Sequence, residues 1–376
     1  MKKLLAPILA CFLILSAAGC SKTVSSESSS AQPDTVSVSE ASQSVASSEN
    51  SDEQGTYTFT DSCGREVELP KNVERIAPSG PLAQIVLYTL CPDKMVGWAT
   101  EFTDAQQKYI DSKYASLPIF GNFYGDTLNL ESVMYAKPQA IFDIGEPKKS
   151  VKEDMDGIQE KTGVPTVFVE MNMKSMATAY KTLGEITGET EQAQKITDYI
   201  DKTLSDTKAK LESIPEDQRL SVFYGQDEGL TAVVKGTVHS DVIDYAGGIN
   251  VADVEKSIRG GANEVSMEQL LLWNPDVILF APGSIYDSVS GKGEWGEVSA
   301  IKSSHFYEIP AEPYNWMGRP PSVNRVLGIK WLSNLLYPEV FNYDMVKETQ
   351  EFYKTFYHCE ITEEQVKNLL KKSTYK

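Results

Sequence analysis

One supersecondary unit occurs twice in the chain, and this repeat restricts the possible folds more than any other feature. Leu130–Phe142 and Met267–Leu279 each have glutamate as the second residue, proline seven residues later, and then a run of apolar residues. A proline ends a helix, because it lacks a backbone N–H and restricts the residue before it. A short apolar run after such a stop is typical of a buried strand. The repeated helix-to-strand unit therefore predicts two similar lobes.

Short apolar segments alternate with segments of helical spacing in both halves of the chain. Alternating residues on either side of Ser62-Cys63-Gly64, beginning near Tyr57, predict a β-hairpin. Predicted strands follow at Arg75–Ala77, Met95–Trp98, Ala140–Ile144, Thr166–Val169, Leu220–Tyr224, Ala232–Val234, Val277–Phe280 and Phe306–Ile309. Predicted helices are Leu82–Leu90, Asn129–Ala136, Val151–Thr162, Asp241–Ala246, Met267–Trp273 and Ser322–Leu336. Strands that alternate with helices indicate α/β lobes with parallel sheets.

A long helix is predicted between the two lobes. Apolar residues recur on one face of Glu189–Ile214, which follows Gly188 and ends before Pro215. At about 1.5 Å per residue such a helix is about 35–40 Å long, enough to run along both lobes. We therefore predict two Rossmann-like lobes joined by a single long backbone helix, with a ligand cleft between the lobes. The predicted boundaries are 56–187 for the N-terminal lobe, 188–215 for the helix, and 216–376 for the C-terminal lobe with a helical tail.

The first residues have the pattern of a lipoprotein signal peptide, predicted for residues 1–19. A basic start precedes an apolar run that ends at Ala18 and is shorter than the roughly 20 residues of a membrane span. Ala17-Ala18-Gly19-Cys20 is similar to the bacterial lipobox, which implies a lipid on Cys20. A plain secretory leader with an incidental cysteine stays open. We expect an extracytoplasmic protein anchored to the outer face of the cell membrane, with a Gram-positive cell favoured.

Residues 20–55 are predicted to be a disordered tether between this anchor and the folded part. Serine makes up thirteen of the 31 residues from Ser21 to Ser51, and the segment has no aromatic residue. Such a composition cannot bury enough apolar surface to offset the entropy of ordering. The folded part would therefore move freely above the membrane.

Charge, cysteine and histidine content exclude several classes of function. The formal net charge of −18 would repel nucleic acid. Cys63, Cys91 and Cys359 follow the leader without a C-x-x-C spacing, so no thiol metal cluster is expected, although one disulfide between Cys63 and Cys91 stays open. Three histidines far apart in the sequence argue against direct capture of a naked transition metal ion. No metal site and no covalent cofactor are predicted.

The chain resembles the class III, helical-backbone solute-binding proteins of ABC importers, which carry ferric siderophores, cobalamin, haem and some metal chelates. The resemblance rests on the D-x-x-G-R-x-V-x-L-P spacing of Asp61–Pro70, on Arg75-Ile76, on the two Glu-to-Pro units and on the long helix. It covers roughly residues 56–338. Cys63, at a variable position of the opening motif, and the long tail after Pro338 depart from the family pattern.

The resemblance implies a partner and a docking surface. In this family a glutamate on each lobe docks onto arginines of the permease, and Glu131 and Glu268 match those positions. The implied partner is an ABC permease dimer with its ATPase, met by a monomeric binding protein. Both glutamates also lie in the first turn of a predicted helix, after Asn129 and Ser266 as caps, where acids favour the helix dipole. A purely structural role for both therefore stays open.

The ligand cleft is expected at the carboxyl ends of the parallel strands. Candidate ligand-binding residues there are Ser79, Gly80, Trp98, Tyr224, His239, Arg259, Tyr314, Asn315, Trp316 and Arg319. Backbone N–H groups at Ser79-Gly80 would meet an anion, and the arginines suit carboxylates and oxyanions. The alternatives stay open: a plain turn at Ser79-Gly80, surface salt bridges for the arginines, core packing for the tryptophans and a simple hydrogen bond for His239.

The expected solute is a small-molecule metal complex, with a ferric siderophore or similar iron chelate ranked first. The segment Pro313–Arg325 looks like a branch of the family labelled iron-complex binding, and relatives of that look include a molybdate and tungstate binder. An oxyanion is therefore ranked second and a corrinoid or haem third. Alternatives of another class are a surface ligand sensor and an extracellular hydrolase. No G-x-S-x-G, H-E-x-x-H or P-loop pattern occurs, so an enzyme is not expected.

Overall fold

A computed structural model describes residues 55–255, 261–291 and 293–375 of the chain. The predicted signal peptide, Cys20, nearly all of the predicted tether, and Arg259 lie outside the described residues. The described part confirms the predicted α/β class, with a sheet in each half of the chain and a long helix between them in sequence. No helix in this described part has the length and hydropathy needed to cross a bilayer.

A β-hairpin begins the described chain. Strands β1 (Thr56–Thr60) and β2 (Glu66–Pro70) pair in antiparallel register. In the connecting loop Gly64 has a φ of 77°, a region that favours glycine. The buried Asp61 carboxylate holds the loop, because it accepts hydrogen bonds from the backbone N–H groups of Cys63 and Arg65 and from the Cys63 thiol.

The N-terminal lobe contains a three-stranded parallel sheet in the order β3-β4-β5. Its elements are β3 (Ile76–Pro78), α1 (Pro81–Leu90), α2 (Asp104–Gln107), α3 (Ser112–Ala115), α4 (Leu130–Ala136), β4 (Ala140–Gly145), α5 (Val151–Thr162), β5 (Thr166–Glu170) and α6 (Met176–Thr187). The predicted strand Met95–Trp98 is wrong, since only its two ends form isolated bridges, Met95 with Ile76 and Trp98 with Ile119. The ring of Phe120 packs directly on Gly97 between them and separates the two bridges.

Arg65 fastens the hairpin to strand β5. Its Nη1 lies 3.1 Å from Asp61 Oδ2 and donates a 2.8 Å hydrogen bond to the Thr166 carbonyl. The Ser62 N–H donates to the Phe168 carbonyl at 3.0 Å. The D-x-x-G-R spacing therefore has a structural role: the aspartate orders the loop, the glycine turns the chain, and the arginine ties the loop to the sheet.

Helix α7 (Thr190–Leu211) lies where the sequence predicts the backbone helix, and its 22 residues span about 33 Å. It begins just after Gly188, whose φ of 76° ends α6 in the left-handed conformation. Ala193, Ile196 and Ile200 are buried along one face. The helix therefore has the apolar stripe of a packed helix.

The C-terminal lobe is built on a larger sheet. Its elements are β6 (Ser221–Gln226), β7 (Thr231–Val233), α8 (Asp241–Tyr245), β8 (Ile249–Asn250), β9 (Ala262–Glu264), α9 (Met267–Trp273), β10 (Val277–Phe280), α10 (Ser299–Lys302), β11 (Phe306–Glu308) and α11 (Asn324–Leu336). The main path of strands is β11-β10-β6-β7-β9, and β8 pairs with β6. Strands β8 and β10 are parallel to β6, and β11 is parallel to β10.

Part of this sheet is antiparallel, a feature that the predicted parallel sheets did not include. Strand β7 pairs antiparallel with both β6 and β9. The loop from β6 to β7 is too short for the crossover that a parallel pair requires. Asp227 and Gly229 turn this loop with φ values of 50° and 91°. The second lobe is thus a mixed sheet with a parallel centre.

The two Glu-to-Pro units fold in the same way. Helices α4 and α9 have seven residues each and are capped at the N-terminus by the side chains of Asn129 and Ser266. Each ends in a left-handed residue before its proline, Lys137 with φ 48° and Asn274 with φ 44°. A central strand of each sheet follows, β4 and β10. The internal repeat is therefore a repeat of structure as well as of sequence.

The tail after Pro338, which had no assigned role, packs across the junction of the lobes. It forms α12 (Pro338–Phe341), α13 (Met345–Phe356) and α14 (Glu363–Leu369). Helix α13 contacts α1 of the N-terminal lobe, α7 and α11. Beyond α14, the Ser373 carbonyl accepts a 2.7 Å hydrogen bond from Nε1 of the buried Trp331. The tail therefore fixes the lobes to the backbone helix and to each other.

The three described cysteines are free, so the disulfide between Cys63 and Cys91 that the sequence left open does not form. Burial, together with the hydrogen bond to Asp61, raises the pKa of the Cys63 thiol to about 11. Burial also raises the pKa of the Cys359 thiol to about 11. Both thiols are protonated at neutral pH and react slowly as nucleophiles.

We predict that Asp61→Asn destabilises the protein, whereas Asp156→Asn does not, although both carboxylates contact Arg65. Burial favours a raised pKa for Asp61, but its hydrogen bonds outweigh burial and hold the pKa below the usual value. Asp61→Asn should cost about 1–3 kcal/mol in the free energy of unfolding at pH 7. Asp156 has a side chain 69% exposed, and its loss should cost less than about 0.5 kcal/mol.

Urea unfolding of the purified protein at several pH values measures both effects. A carboxylate with a lowered pKa stabilises the fold above its unfolded pKa of about 3.9, and this stability disappears as the pH falls through the folded value. The difference between the wild type and Asp61→Asn should therefore shrink in acid. Equal losses in the two variants at pH 7 would contradict the assigned role of Asp61.

Candidate functional site

Polar residues from both lobes meet where the parallel strands end. In the N-terminal lobe Ser79 follows β3 and Glu146 follows β4. In the C-terminal lobe Tyr224 lies near the end of β6. The charge of Glu146 acts on the guanidinium of Arg325, which belongs to α11 of the other lobe. The strand ends of the two lobes are therefore neighbours, as expected for a cleft between them.

The N-terminal wall of the cleft is centred on the Asp143 carboxylate in β4. Ser79 Oγ donates a hydrogen bond to one carboxylate oxygen, and the Tyr124 hydroxyl donates to the other. The Ser79 hydroxyl is buried and committed to this bond. Burial and the Asp143 charge raise the pKa of Tyr124, so the phenol keeps its proton and remains a donor. Ser79 thus positions Asp143 and Tyr124 instead of offering its own hydroxyl to a solute.

Gly80 stands at the start of α1 with extended backbone and no capping side chain. A Cβ placed on Gly80 would meet only Asn122 Oδ1, at 4.0 Å. Pro81 occupies the first helical position, which suits its fixed φ and missing N–H. No side chain of the turn therefore caps the first N–H groups of α1. This geometry is consistent with the strand-to-helix turn that the sequence predicts.

The C-terminal wall brings together four of the predicted residues: Tyr224, His239, Asn315 and Arg319. His239 Nδ1 lies 2.7 Å from the Gly318 carbonyl oxygen. Asn315 and Arg319 pair in an isolated antiparallel bridge, which folds the segment between them into a tight loop. Asn315 Oδ1 accepts a 2.7 Å hydrogen bond from the Met317 N–H inside that loop. One loop after β11 therefore orients both Arg319 and His239.

His239 is held neutral by its surroundings. Burial lowers its pKa below the usual 6.5, and the positive charges of Arg319 and Arg325 lower it further, against the opposing hydrogen bond to Gly318. Because the Gly318 carbonyl is an acceptor, Nδ1 carries the proton. Nε2 of the neutral ring is then an acceptor.

The Tyr224 hydroxyl is buried and has no hydrogen-bond partner among the described residues. It lies near the side chains of Gln226 and Asn315 and in the field of Arg319. Burial raises the pKa of this phenol, so it remains a protonated donor. A buried hydroxyl without a partner costs free energy, which a polar atom of a ligand would recover.

Arg325 was not among the residues predicted from sequence, and it lies buried behind the wall. It is fully buried in α11, where Nη1 lies 3.3 Å from Asp241 Oδ2 and Nη2 has no partner among the described residues. Nη1 also donates to the carbonyl of Val238, next to His239. A sequence signal existed: Arg325, Ile329 and Leu332 share one face at i, i+4 and i+7, so a cation lies on an apolar stripe.

Three of the predicted ligand residues are buried in the core. Trp98 and Trp316 are both fully buried. Trp98 Nε1 donates a 2.8 Å bond to the Tyr114 carbonyl, and Trp316 packs edge-on against Trp331 with ring centroids 6.5 Å apart. Tyr314 is stacked on Tyr357 of the tail, and its buried hydroxyl interacts with Gln84 of α1. This burial supports the core-packing alternative that the sequence left open for the two tryptophans, and a ligand contact by any of the three rings stays a prediction.

No group of three histidine, cysteine, aspartate or glutamate side chains converges as a metal site within the described ranges. The cations Arg319 and Arg325 converge on the C-terminal wall, where the Asp241 carboxylate pairs with Arg325. Guanidinium groups bind carboxylates, phosphates and other oxyanions through paired hydrogen bonds. The arrangement therefore suits non-covalent capture of an anionic solute, and no nucleophile with an adjacent general base is built there.

Comparison with known proteins agrees with this architecture. The sequence profile of the family described as periplasmic binding protein matches residues 92–313. The chain belongs to the periplasmic binding protein family. The match begins just after α1 and ends in the loop that precedes Trp316, so it includes β4 and β5 of the N-terminal lobe, helix α7, and strands β6 to β11 of the C-terminal lobe.

Related sequences and structures cover most of this periplasmic binding protein. YvrC of Bacillus subtilis, a substrate-binding lipoprotein of an ABC transporter, is 24% identical over 292 residues, 76% of this chain and 86% of YvrC. The molybdate-binding protein MolA of Haemophilus influenzae is 23% identical over 331 residues, 80% of this chain and 90% of MolA. An ABC transporter solute-binding protein from Sulfurospirillum deleyianum has 27% identity and a TM-score of 0.76, with 84% of this chain and 99% of that chain covered.

The family identifies the biochemical class. Its members, including these relatives, are solute-binding proteins, and this periplasmic binding protein is not an enzyme. The alternative of an extracellular hydrolase is therefore wrong. The structural similarity also confirms the TroA-like, class III arrangement that the sequence resemblance implies.

We predict that Gly328→Ala destabilises the protein because α11 touches the cleft loop at that point. A Cβ on Gly328 would lie 2.1 Å from the Trp316 carbonyl oxygen, which is backbone and cannot rotate away. Overpacking of this kind costs about 1–3 kcal/mol in the free energy of unfolding.

Gly157→Ala is the matched control. Gly157 also lies inside a helix, α5, but it is exposed and a Cβ there would meet no atom within 4 Å. The control should stabilise the protein by up to about 1 kcal/mol, since alanine favours the helix. Urea unfolding midpoints of the two variants should therefore move in opposite directions, and a neutral Gly328→Ala would show that the loop is free to shift.

Proposed function

We propose that this periplasmic binding protein is the substrate-binding component of an ABC importer and that its solute is an anionic metal complex, with a ferric siderophore as the first candidate. The observation that carries the proposal is the cationic wall, defined as Arg319 and Arg325 together with the neutral ring of His239 beside them. The chain has a formal net charge of −18 and would repel an anion from most of its surface. A local cluster of cations on such a chain is therefore the place where an anionic solute would bind.

Arg325 supports this proposal most directly. Removing a guanidinium from water costs several kcal/mol, and the geometry around it must offset that cost. Asp241 contacts one terminal nitrogen at 3.3 Å, while the other is buried without a partner among the described residues. An anionic oxygen at Nη2 would make a charge-assisted hydrogen bond and remove this deficit. The unpartnered Tyr224 hydroxyl adds a second donor for the same kind of atom.

The donor groups of the wall and the ligands of related proteins together give a ranking of the candidate solutes. Ferric chelates built on carboxylates or catecholates present several anionic oxygens around one metal, which matches guanidinium donors on one wall. The three far-separated histidines favour a metal that arrives already chelated. A molybdate-type oxyanion is the second candidate, because the relative MolA is a molybdate-binding protein and is similar over 80% of this chain. A corrinoid is third, from the vitamin B12-binding proteins of Vibrio, which are 23% identical.

Delivery requires an anchor and a docking surface. We propose that a lipid on Cys20 holds the protein at the membrane and that residues 20–55 are its tether; the relative YvrC is itself a lipoprotein. Glu131 and Glu268 are exposed at corresponding positions of α4 and α9. Two carboxylates at a fixed separation suit two symmetry-related basic sites of a permease dimer. The capping geometry of Ser266 lowers the pKa of Glu268, which keeps its charge.

The first test is solute binding by calorimetry of the purified protein against ferric citrate, ferric catecholate and hydroxamate siderophores, molybdate, tungstate, cobalamin and haem. We predict saturable binding of one anionic class, weakened about tenfold or more by Arg319→Ala through loss of charge-assisted contact. Lys208→Ala removes an equal charge from an exposed position on α7 and should leave affinity within about twofold. Binding of a neutral solute, unaffected by Arg319→Ala, would contradict the cationic wall as the site.

The second test uses pH. His239 is neutral at pH 7 because its pKa is lowered, so a fall in pH through that value adds a positive charge to the wall. An anion favours the protonated ring, and affinity should therefore rise as the pH falls. His239→Asn removes this contribution, and the difference between the two titration series separates it from protonation of the solute. The opposite slope would indicate that the neutral Nε2 atom itself contacts the solute.

A further inference from the structure

Large apolar side chains are exposed at corresponding places on the two lobes. Of the seven such side chains exposed in the described ranges, four lie on α4 and α9. We name Met134 with Tyr135 the N-patch and Leu271 with Leu272 the C-patch. Tyr135 is 88% exposed and Leu272 is 78% exposed. In the internal repeat Met134 aligns with Leu271, and Tyr135 aligns with Leu272.

Each patch shares its helix face with a glutamate. Met134 and Tyr135 follow Glu131 by three and four residues, and Leu271 and Leu272 follow Glu268 by the same steps. Residues at these spacings are neighbours on the surface of a helix. Both helices have seven residues, and in both the capping side chain accepts a hydrogen bond from the N–H three residues later. Both lobes therefore present one carboxylate next to two apolar side chains.

Core packing does not account for the patches. Val133 and Leu270 are the fully buried members of the two helices and make the contact with the lobe interiors. The patch residues point away from these positions, and exposed apolar side chains grouped together are typical of an interaction surface. Both lobes expose large apolar side chains at the same two steps of the repeated helix.

We infer that the N-patch and the C-patch dock into two equivalent apolar depressions of a dimeric permease, each next to a basic side chain that pairs with Glu131 or Glu268. This inference rests on the proposed function, delivery of a solute to an ABC permease. A two-fold dimer presents the same surface twice, and the two lobes offer the matching pair of surfaces from one chain. The apolar side chains supply buried area, and the glutamates supply register.

Charge favours a permease over the two other partners that could cover such a surface, a lipid bilayer and a second copy of this chain. An anionic lipid surface attracts apolar patches flanked by several lysines or arginines, whereas each patch here lies beside a glutamate, with Lys137 as the one adjacent cation in the sequence, in a chain of net charge −18. A second copy of the chain would bring carboxylates near carboxylates, which opposes association. A partner with basic residues beside apolar depressions has the complementary chemistry.

The test measures docking of the full chain to its cognate permease–ATPase complex in nanodiscs, by surface plasmon resonance. The patch variant carries Tyr135→Ser and Leu272→Ser, and the charge variant carries Glu131→Gln and Glu268→Gln. The matched control is Ile249→Ser, at an apolar side chain 38% exposed on β8, away from both patches. We expect the patch variant to dock about tenfold or more weakly, and the control to stay within about twofold of the wild type.

Thermal unfolding of each variant verifies that the fold is intact, because all the changed side chains are exposed. Tight docking of the patch variant, alongside weakened docking of the charge variant, would overturn the patches while leaving the proposed function in place. No docking by the wild type would overturn the proposed function and this inference together. A wild-type dimer in sedimentation that the patch variant converts to monomers would assign the patches to self-association and overturn the permease as their partner.

Discussion

One apolar core that passes through both lobes, helix α7 and the C-terminal tail holds the rest of the structure in place. Its buried residues run from Val67 in the opening hairpin to Leu370 after α14. Within α7, Ile196 and Ile200 belong to this core, as do Phe352 and Phe356 of α13. Because the interior is packed at high density, the lobes cannot shift far without disrupting these contacts. The packing of this core, which lies outside the cleft, therefore sets the distance between the cleft walls.

The cleft departs from the rule that buried charges are fully paired. Arg325 has one terminal nitrogen near Asp241 and another without a partner among the described residues, and the Tyr224 hydroxyl close to the same wall is also unpaired. Both defects cost stability in the free protein. A binding protein tolerates such costs because the solute recovers them, and the surrounding packing of Trp316 against Trp331 keeps the loop rigid meanwhile. The residues around the site are thus well packed and stabilise the fold, whereas the unpaired polar groups at the site destabilise it.

The internal repeat relates the strand ends at the expected cleft to the two proposed docking positions. In each lobe a short helix leads through a proline into a central strand, α4 into β4 and α9 into β10. The carboxyl ends of the strands lead towards the cleft, while the helices carry Glu131 and Glu268 on the outer surface. A change in the distance between the lobes on solute binding would therefore alter the separation of the two docking positions.

The sequence by itself determined the elements that depend on near neighbours: the capped and proline-terminated units, helix α7, and the strand ends that bring Tyr224, His239, Asn315 and Arg319 to one wall. Tertiary structure alone decided which aromatic rings are core, because the burial of Trp98 and Trp316 depends on residues distant in the chain. It also decided the antiparallel placement of β7 and the role of the tail. Arg325 shows the difference best: its helix was predictable, but its place beside the cleft required the folding of α11 against α8.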